Sequence, residues 1–147
     1  MKTIQEIEEL VKKAVLAELD GVDFIQEFDD ETLRREYNGI GPEWVGEAAR
    51  RKLTEHLAIF EPAALIHDMR NYKSDGTLYC FNFANFEFWG NCVKLVKTTY
   101  PWWTLKHWRA RAVARLAFDF VSGPGGWKAW MDSFRKNLDE EALVPGL

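Results

Sequence analysis

The sequence predicts an all-α fold: a compact helical domain with two antiparallel central helices, near 62–72 and 78–97, flanked by amphipathic helices. Three observations carry this. Apolar residues recur at three- and four-residue spacing along most of the chain. Turn signals at Asp20-Gly21, Asn38-Gly39, Glu61-Pro62, Asp75-Gly76 and Gly123-Pro124 cut it into helix-length pieces. Hydrophobic residues make up 47% of the 147, enough for one buried core without metals or disulfides.

The elements follow in order. Thr3-Ile4-Gln5-Glu6 fits a capping box, and Ile4, Ile7, Val11 and Ala14 continue at helical spacing. A helix is expected near 4–19, ended by a left-handed Gly21. Its single apolar stripe needs a partner, within the domain or on another chain. Residues 22–37 are acidic, and Asp29 or Asp30 caps a short helix through Leu33 and Tyr37. Tyr37-Asn38-Gly39-Ile40-Gly41-Pro42 reads as a turn. Pro42 starts a helix to about Phe60, with Trp44, Val45, Ala48, Ala49, Leu53 and Leu57 facing inward. Pro62 suits the first turn of the next helix, to Tyr72.

Residues 78–97 hold Phe81, Asn85, Phe88, Cys92 and Leu95 at helical spacing, and the segment is apolar almost all round. It is therefore expected at the centre, with Asn82 and Asn85 needing partners. Tyr100-Pro101-Trp102-Trp103 opens a helix to about Val121. Leu105, Trp108, Ala112, Leu116 and Phe120 form its core stripe, and Lys106, Arg109, Arg111 and Arg115 the other side. Ser122-Gly123-Pro124-Gly125-Gly126 is a flexible break, Trp127 to Leu138 a last helix, and the acidic tail frays. The whole, 1–147, is one domain: an N-terminal helical extension (1–36), a core (37–97), Trp-rich basic helices (98–138) and the tail (139–147).

Charge is unevenly placed. Residues 1–61 carry 15 acids and 8 bases, whereas 62–136 carry 5 acids and 11 bases. The plain reading is ordinary surface variation over a folded chain; the sharper one is a basic face that meets an anionic surface, lipid or nucleic acid, with a phospholipid or other anionic surface as candidate partner through Lys106, Arg109, Arg111 and Arg115. No recognised nucleic-acid motif is present. Cys80 and Cys92, on one helix, are roughly 18 Å apart at ~1.5 Å rise per residue, too far to bridge. Two free thiols, no secretory signal and no membrane-spanning run point to a cytoplasmic protein. Oligomerisation through the first helix stays open.

The most suggestive stretch is Ala63-Ala64-Leu65-Ile66-His67-Asp68-Met69-Arg70. Ala63 and Ala64 precede His67 by four and three residues, so small side chains flank a titratable ring on one helix face. A buried structural His-Asp pair is the plain reading. This segment also resembles the catalytic helix of the phospholipase A2-like superfamily, in its short, disulfide-poor branch of parvoviral capsid, bacterial and phage proteins. Tyr37-Asn38-Gly39-Ile40-Gly41-Pro42 resembles that family's calcium loop, and Ala84-Asn85-Phe86-Glu87-Phe88 its second catalytic segment. The likeness spans roughly 37–92, and it implies a virion-associated location as the alternative to a cytoplasmic one.

The resemblance implies a Ca²⁺-dependent lipid hydrolase. Asp68 would hold Ca²⁺ with carbonyls from Asn38, Gly39 and Gly41, and His67 would act as general base on water. Asn85 stands where the family has an Asp that orients the His. An amide oxygen can still orient the ring, but the carboxylate charge is gone. The family's tyrosine three residues after the Asp is Asn71 here, with Tyr72 one place later. The competing expectation is a non-catalytic helical binding or structural protein, phage or mobile-element encoded, that keeps the scaffold.

Overall fold

The structure, a computed structural model, describes residues 1–39 and 57–143. Among them every regular element is helical: α1 (Ile4–Leu16), α2 (Val22–Ile25), α3 (Asp30–Glu36), a 3-10 turn (Ala58–Phe60), α4 (Glu61–Tyr72), α5 (Leu78–Thr99), α6 (Leu105–Val121) and α7 (Pro124–Ala142). The helix expected from Pro42, and with it Trp44, Val45, Ala48, Ala49 and Leu53, lies outside the described residues up to Leu57. Leu57 and Phe60 at its end are buried.

α4 is the hub. It packs against α1, α2, α3, α5 and α7, while α5 also packs on α6. Almost its whole circumference is covered: Pro62 to His67 and Met69 are all buried. Phe60, Leu65, Ile66 and Met69 have essentially no surface left, and each such side chain contributes about 1.5–3 kcal/mol from water exclusion. The capping box at Thr3 forms as its sequence dictates, with Thr3 Oγ1 accepting from Glu6 N–H and Glu6 Oε2 accepting from Thr3 N–H. Asp29, not Asp30, caps α3 through Oδ1 on the Thr32 amide.

α1 stops at Leu16 rather than near 19. Glu18 takes the left-handed conformation (φ 53°), and the Leu19 amide reaches back to the Ala14 carbonyl, which turns Leu19 into the core. Gly21 is left-handed as expected (φ 88°) but heads α2 instead of ending α1. A Cβ there would stand 2.7 Å from Ile66 Cγ2, so this connection lies directly on α4.

α5 runs as expected and presents one open side, where Leu78, Tyr79, Phe83 and Phe86 are exposed. Asn82 is exposed as well, so it needs no protein partner. α6 begins at Leu105, behind the Thr104 cap, and not at Pro101. Its faces are reversed relative to the predicted stripe. His107, Ala110, Val113, Ala114 and Ala117 are buried, while Leu105, Trp108 and Leu116 are exposed. The small residues win because an alanine row lets α6 approach α5, where Trp108 and Leu116 would hold it away.

The expected flexible break also resolves differently. Pro124 occupies the first turn of α7, with Gly125 and Gly126 already helical, and α7 continues into the acidic tail as far as Ala142. α7 is tied to the end of α4 by polar contacts. Ser74 Oγ donates to the Trp130 carbonyl at 2.9 Å, and Asn137 Nδ2 donates to the Tyr72 carbonyl at 2.9 Å. Phe81, Ala84 and Trp130 make a second, smaller apolar cluster beneath it. Among the described residues no helix is long and apolar enough to cross a membrane.

Candidate functional site

The seam between α4 and α5 holds the polar groups singled out in the sequence. His67 sits mid-α4, where Ala63 and Ala64 before it are themselves core residues. Its Nε2 lies 2.8 Å from Asn85 Oδ1 on α5, and its ring rests on Phe88 with centroids 5.1 Å apart. Since an amide oxygen only accepts, this pairing puts the ring proton on Nε2 and leaves Nδ1 with its lone pair. Burial lowers the His67 pKa, and the Asn85 bond opposes that only in part. The imidazole is thus held neutral, with one ring nitrogen left to accept a proton.

Asn85 is the less settled member. Its Nδ2 is buried with no partner. An amide can turn over; Nδ2 would then donate to Nε2, the ring proton would move to Nδ1, and Oδ1 would be the orphan. A carboxylate at this position would accept in either orientation and would fix one tautomer. The Asn therefore positions the ring without uniquely fixing its proton.

Asp68 is next on α4 and turns toward the Asn38–Gly39 loop. Its Oδ2 accepts the Asn38 amide at 2.9 Å and the Gly39 amide at 3.0 Å. Gly39 is left-handed (φ 75°), which is what lets two successive N–H groups converge on one oxygen. Burial nevertheless pushes the Asp68 carboxyl up to about 7 against those two bonds. The residue keeps a partly exposed edge, which moderates the effect. Tyr37 closes the loop from the side, its hydroxyl pushed above its ordinary value by burial and by the Glu61 and Asp68 charges.

The loop thus offers N–H groups, not carbonyls, to Asp68. A hard cation needs several oxygens. Among the described residues no three His, Cys, Asp or Glu side chains gather to hold a metal ion. Gly41, the further carbonyl expected in that shell, lies outside the described residues.

Two features of the seam were not anticipated. Arg70 clamps Glu87 in two parallel bonds, Nε to Oε1 at 3.0 Å and Nη2 to Oε2 at 2.9 Å, with its guanidinium 4.0 Å from the Phe24 ring centroid. The available signal was that Glu87 is the one acid between Asp75 and Asp119, on an otherwise apolar helix. Asn91 clasps the backbone of Asp20, donating from Nδ2 to its carbonyl and accepting its N–H on Oδ1, at 2.9 and 2.8 Å. Cys80 and Cys92 are both free thiols; Cys92 is fully buried, which pushes its thiol up, while Cys80 is half-buried. His107 is a core residue whose Nδ1–H donates to the Tyr100 carbonyl.

Of the residues predicted for the site, His67 meets Asn85, and Asp68 meets Asn38 and Gly39. Lys106, Arg109, Arg111 and Arg115 lie apart from it on α6. No family model matches the chain, and neither a curated protein nor a solved structure matches it.

Proposed function

We propose that this is a phospholipase A2-like hydrolase of phospholipid esters in which His67, positioned by Asn85, is the general base. The observation that carries the reading is the 2.8 Å bond from His67 Nε2 to Asn85 Oδ1, formed one residue from a carboxylate that the Asn38–Gly39 loop caps. Three segments far apart in sequence meet there. In the proposed step, Nδ1 takes a proton from water as the water oxygen attacks the ester carbonyl. The C–O bond to the glycerol breaks, and the proton passes to the departing alkoxide, giving a fatty acid and a lysophospholipid. With Asn in place of a carboxylate, the imidazolium formed is balanced only by a dipole, so slow turnover is expected.

No step is routed through Ca²⁺: Asp68 Oδ2 accepts the two loop amides. The resemblance nonetheless makes it the cation to test. A rise in Tm on adding Ca²⁺ that Asp68→Asn removes assigns the ion to Asp68. No rise assigns a metal-free site. The hydrolase reading itself is tested by fatty-acid release from phosphatidylcholine vesicles. Release is expected to vanish in His67→Ala and to increase in Asn85→Asp, toward the roughly 10⁴-fold that a carboxylate contributes in the Ser-His-Asp arrangement. No release by the wild type or by Asn85→Asp, with or without Ca²⁺, refutes it.

A second reading is a non-catalytic scaffold, favoured by one observation: His67 is only 7% exposed. It predicts that His67→Gln, which keeps a hydrogen bond to Asn85, leaves the biological role intact.

A further inference from the structure

We propose that the outer face of α6, with the Trp102–Trp103 turn leading into it, docks the protein onto a lipid bilayer that carries anionic headgroups. This deepens the hydrolase reading by supplying the surface on which such a substrate is presented, but its evidence does not involve His67.

The turn is built to display its aromatics. Trp102 and Trp103 are 69% and 71% exposed, stacked edge to face with centroids 6.0 Å apart. Their backbone is fixed. The Thr104 amide and Oγ1 both donate to the Pro101 carbonyl, at 3.0 and 2.7 Å, and the buried His107 donates from Nδ1 to the Tyr100 carbonyl at 3.0 Å. Two large indoles on a hydrogen-bonded turn are left mostly in solvent, outside the core. Their exposure calls for an occupant.

The apolar surface continues along α6 through Leu105, Trp108 and Leu116, all more than half exposed. Arg111 lies between the rings of Trp89 and Trp108, at 5.9 and 5.8 Å from their centroids. Charge then selects the occupant. Residues 88–118 contain six bases and no acid. Lys94 is paired with Asp20 and Arg115 with Asp119, but Lys106 and Arg109 have no acidic partner among the described residues. Interleaved Trp and basic side chains match the headgroup layer, where indoles sit at the apolar boundary and long cationic side chains reach the phosphates. A protein-binding core would instead be depleted in lysine and unpaired charge.

The experiment uses vesicles of ether-linked phospholipids, which no esterase can consume, made of phosphatidylcholine alone or mixed with phosphatidylserine. Co-sedimentation is expected only with the mixed vesicles, accompanied by a blue shift of Trp emission, and weaker in high salt. Lys106→Glu with Arg109→Glu is expected to lower affinity by at least about 25-fold, at roughly fivefold per base. Trp102→Ala with Trp103→Ala is expected to lower it on the order of tenfold or more. Both pairs are exposed, so both proteins should keep the wild-type Tm. Failure of the folded wild type to bind, equal binding to both vesicle types, or unchanged binding by either double variant overturns the proposal. So does a dimer that the Trp double variant dissolves, which would give the face to a second copy. Docking without fatty-acid release from ester lipids leaves this inference standing and removes only the hydrolase.

Discussion

The α4–α5 seam and the outer face of α6 break the inside-outside rule in opposite senses. The seam buries His67, Asn85, Asn91 and most of Glu87, and nearly every polar atom there is paired. The α6 face and the turn before it expose Trp102, Trp103, Trp108 and Leu116 next to Lys106 and Arg109, which have no acidic partner among the described residues. Buried polar groups and exposed apolar ones are the informative departures in a folded chain. In the seam the polar groups are matched by the fold itself, so their removal should be felt as lost stability. On α6 nothing in the described fold covers the apolar groups, so their removal should be felt outside the folding equilibrium.

That contrast can be broken by measurement. The largest effect is expected from Arg70→Ala, which leaves the Glu87 carboxylate, 7% exposed, without its cation. Stranding a buried charge costs about 3–5 kcal/mol, read as a lower denaturation midpoint in urea. Asn91→Ala comes next. Two backbone groups of Asp20 lose their partners, at about 1–3 kcal/mol for a stranded group where water does not replace the bond.

Asp68→Asn should have a pH-dependent effect of opposite sign. The carboxyl is raised in the fold, so its contribution is greatest below its ordinary range and is lost as pH rises through about 7. His67, lowered in the fold, works the other way: its contribution is present above its ordinary value near 6.5 and is lost as pH falls through the folded value. Asp68→Asn removes only the first. The variant should gain on the wild type between about pH 4 and 8, by on the order of 2 kcal/mol once partial exposure is allowed for. Unfolding midpoints across that range check this; parallel curves would refute it. The smallest effect is expected on α6, where Trp102→Ala should change stability by no more than about 0.5 kcal/mol. A larger loss would mean that the exposed Trp pair is part of the core.

The sequence revealed the helices because helical spacing and caps are local. Thr3, Asp29, Thr77 and Thr104 each cap a helix through their own side chain. It did not reveal which side of α6 faces inward. Trp108 and Leu116 outrank Ala110 and Ala114 in hydrophobicity, but how closely two helices approach depends on size at the contact, which only the partner helix decides. The meeting of His67 with Asn85 was expected from the family resemblance alone, which sets the Ile-His-Asp segment against the Ala-Asn segment; nothing in the spacing itself required it. The direction of the Asn38 and Gly39 peptides was not, because a Gly-containing loop can point either its N–H or its C=O groups at a carboxylate. Arg70–Glu87 and Asn91–Asp20 went unread for a similar reason. Each joins residues on different elements, and neither makes a recurring pattern.

The Asn91 clasp also bears on the order of events during folding. It joins residues 71 positions apart, and Lys94 adds a second tie to Glu18 and Asp20 across a similar span. Such closures carry a loop entropy that the neighbouring α5–α6 packing does not. The α1–α2 segment should therefore lock last, with its amides exchanging hydrogen before those of α4 and α5, and a weakened clasp should hasten unfolding more than it slows folding.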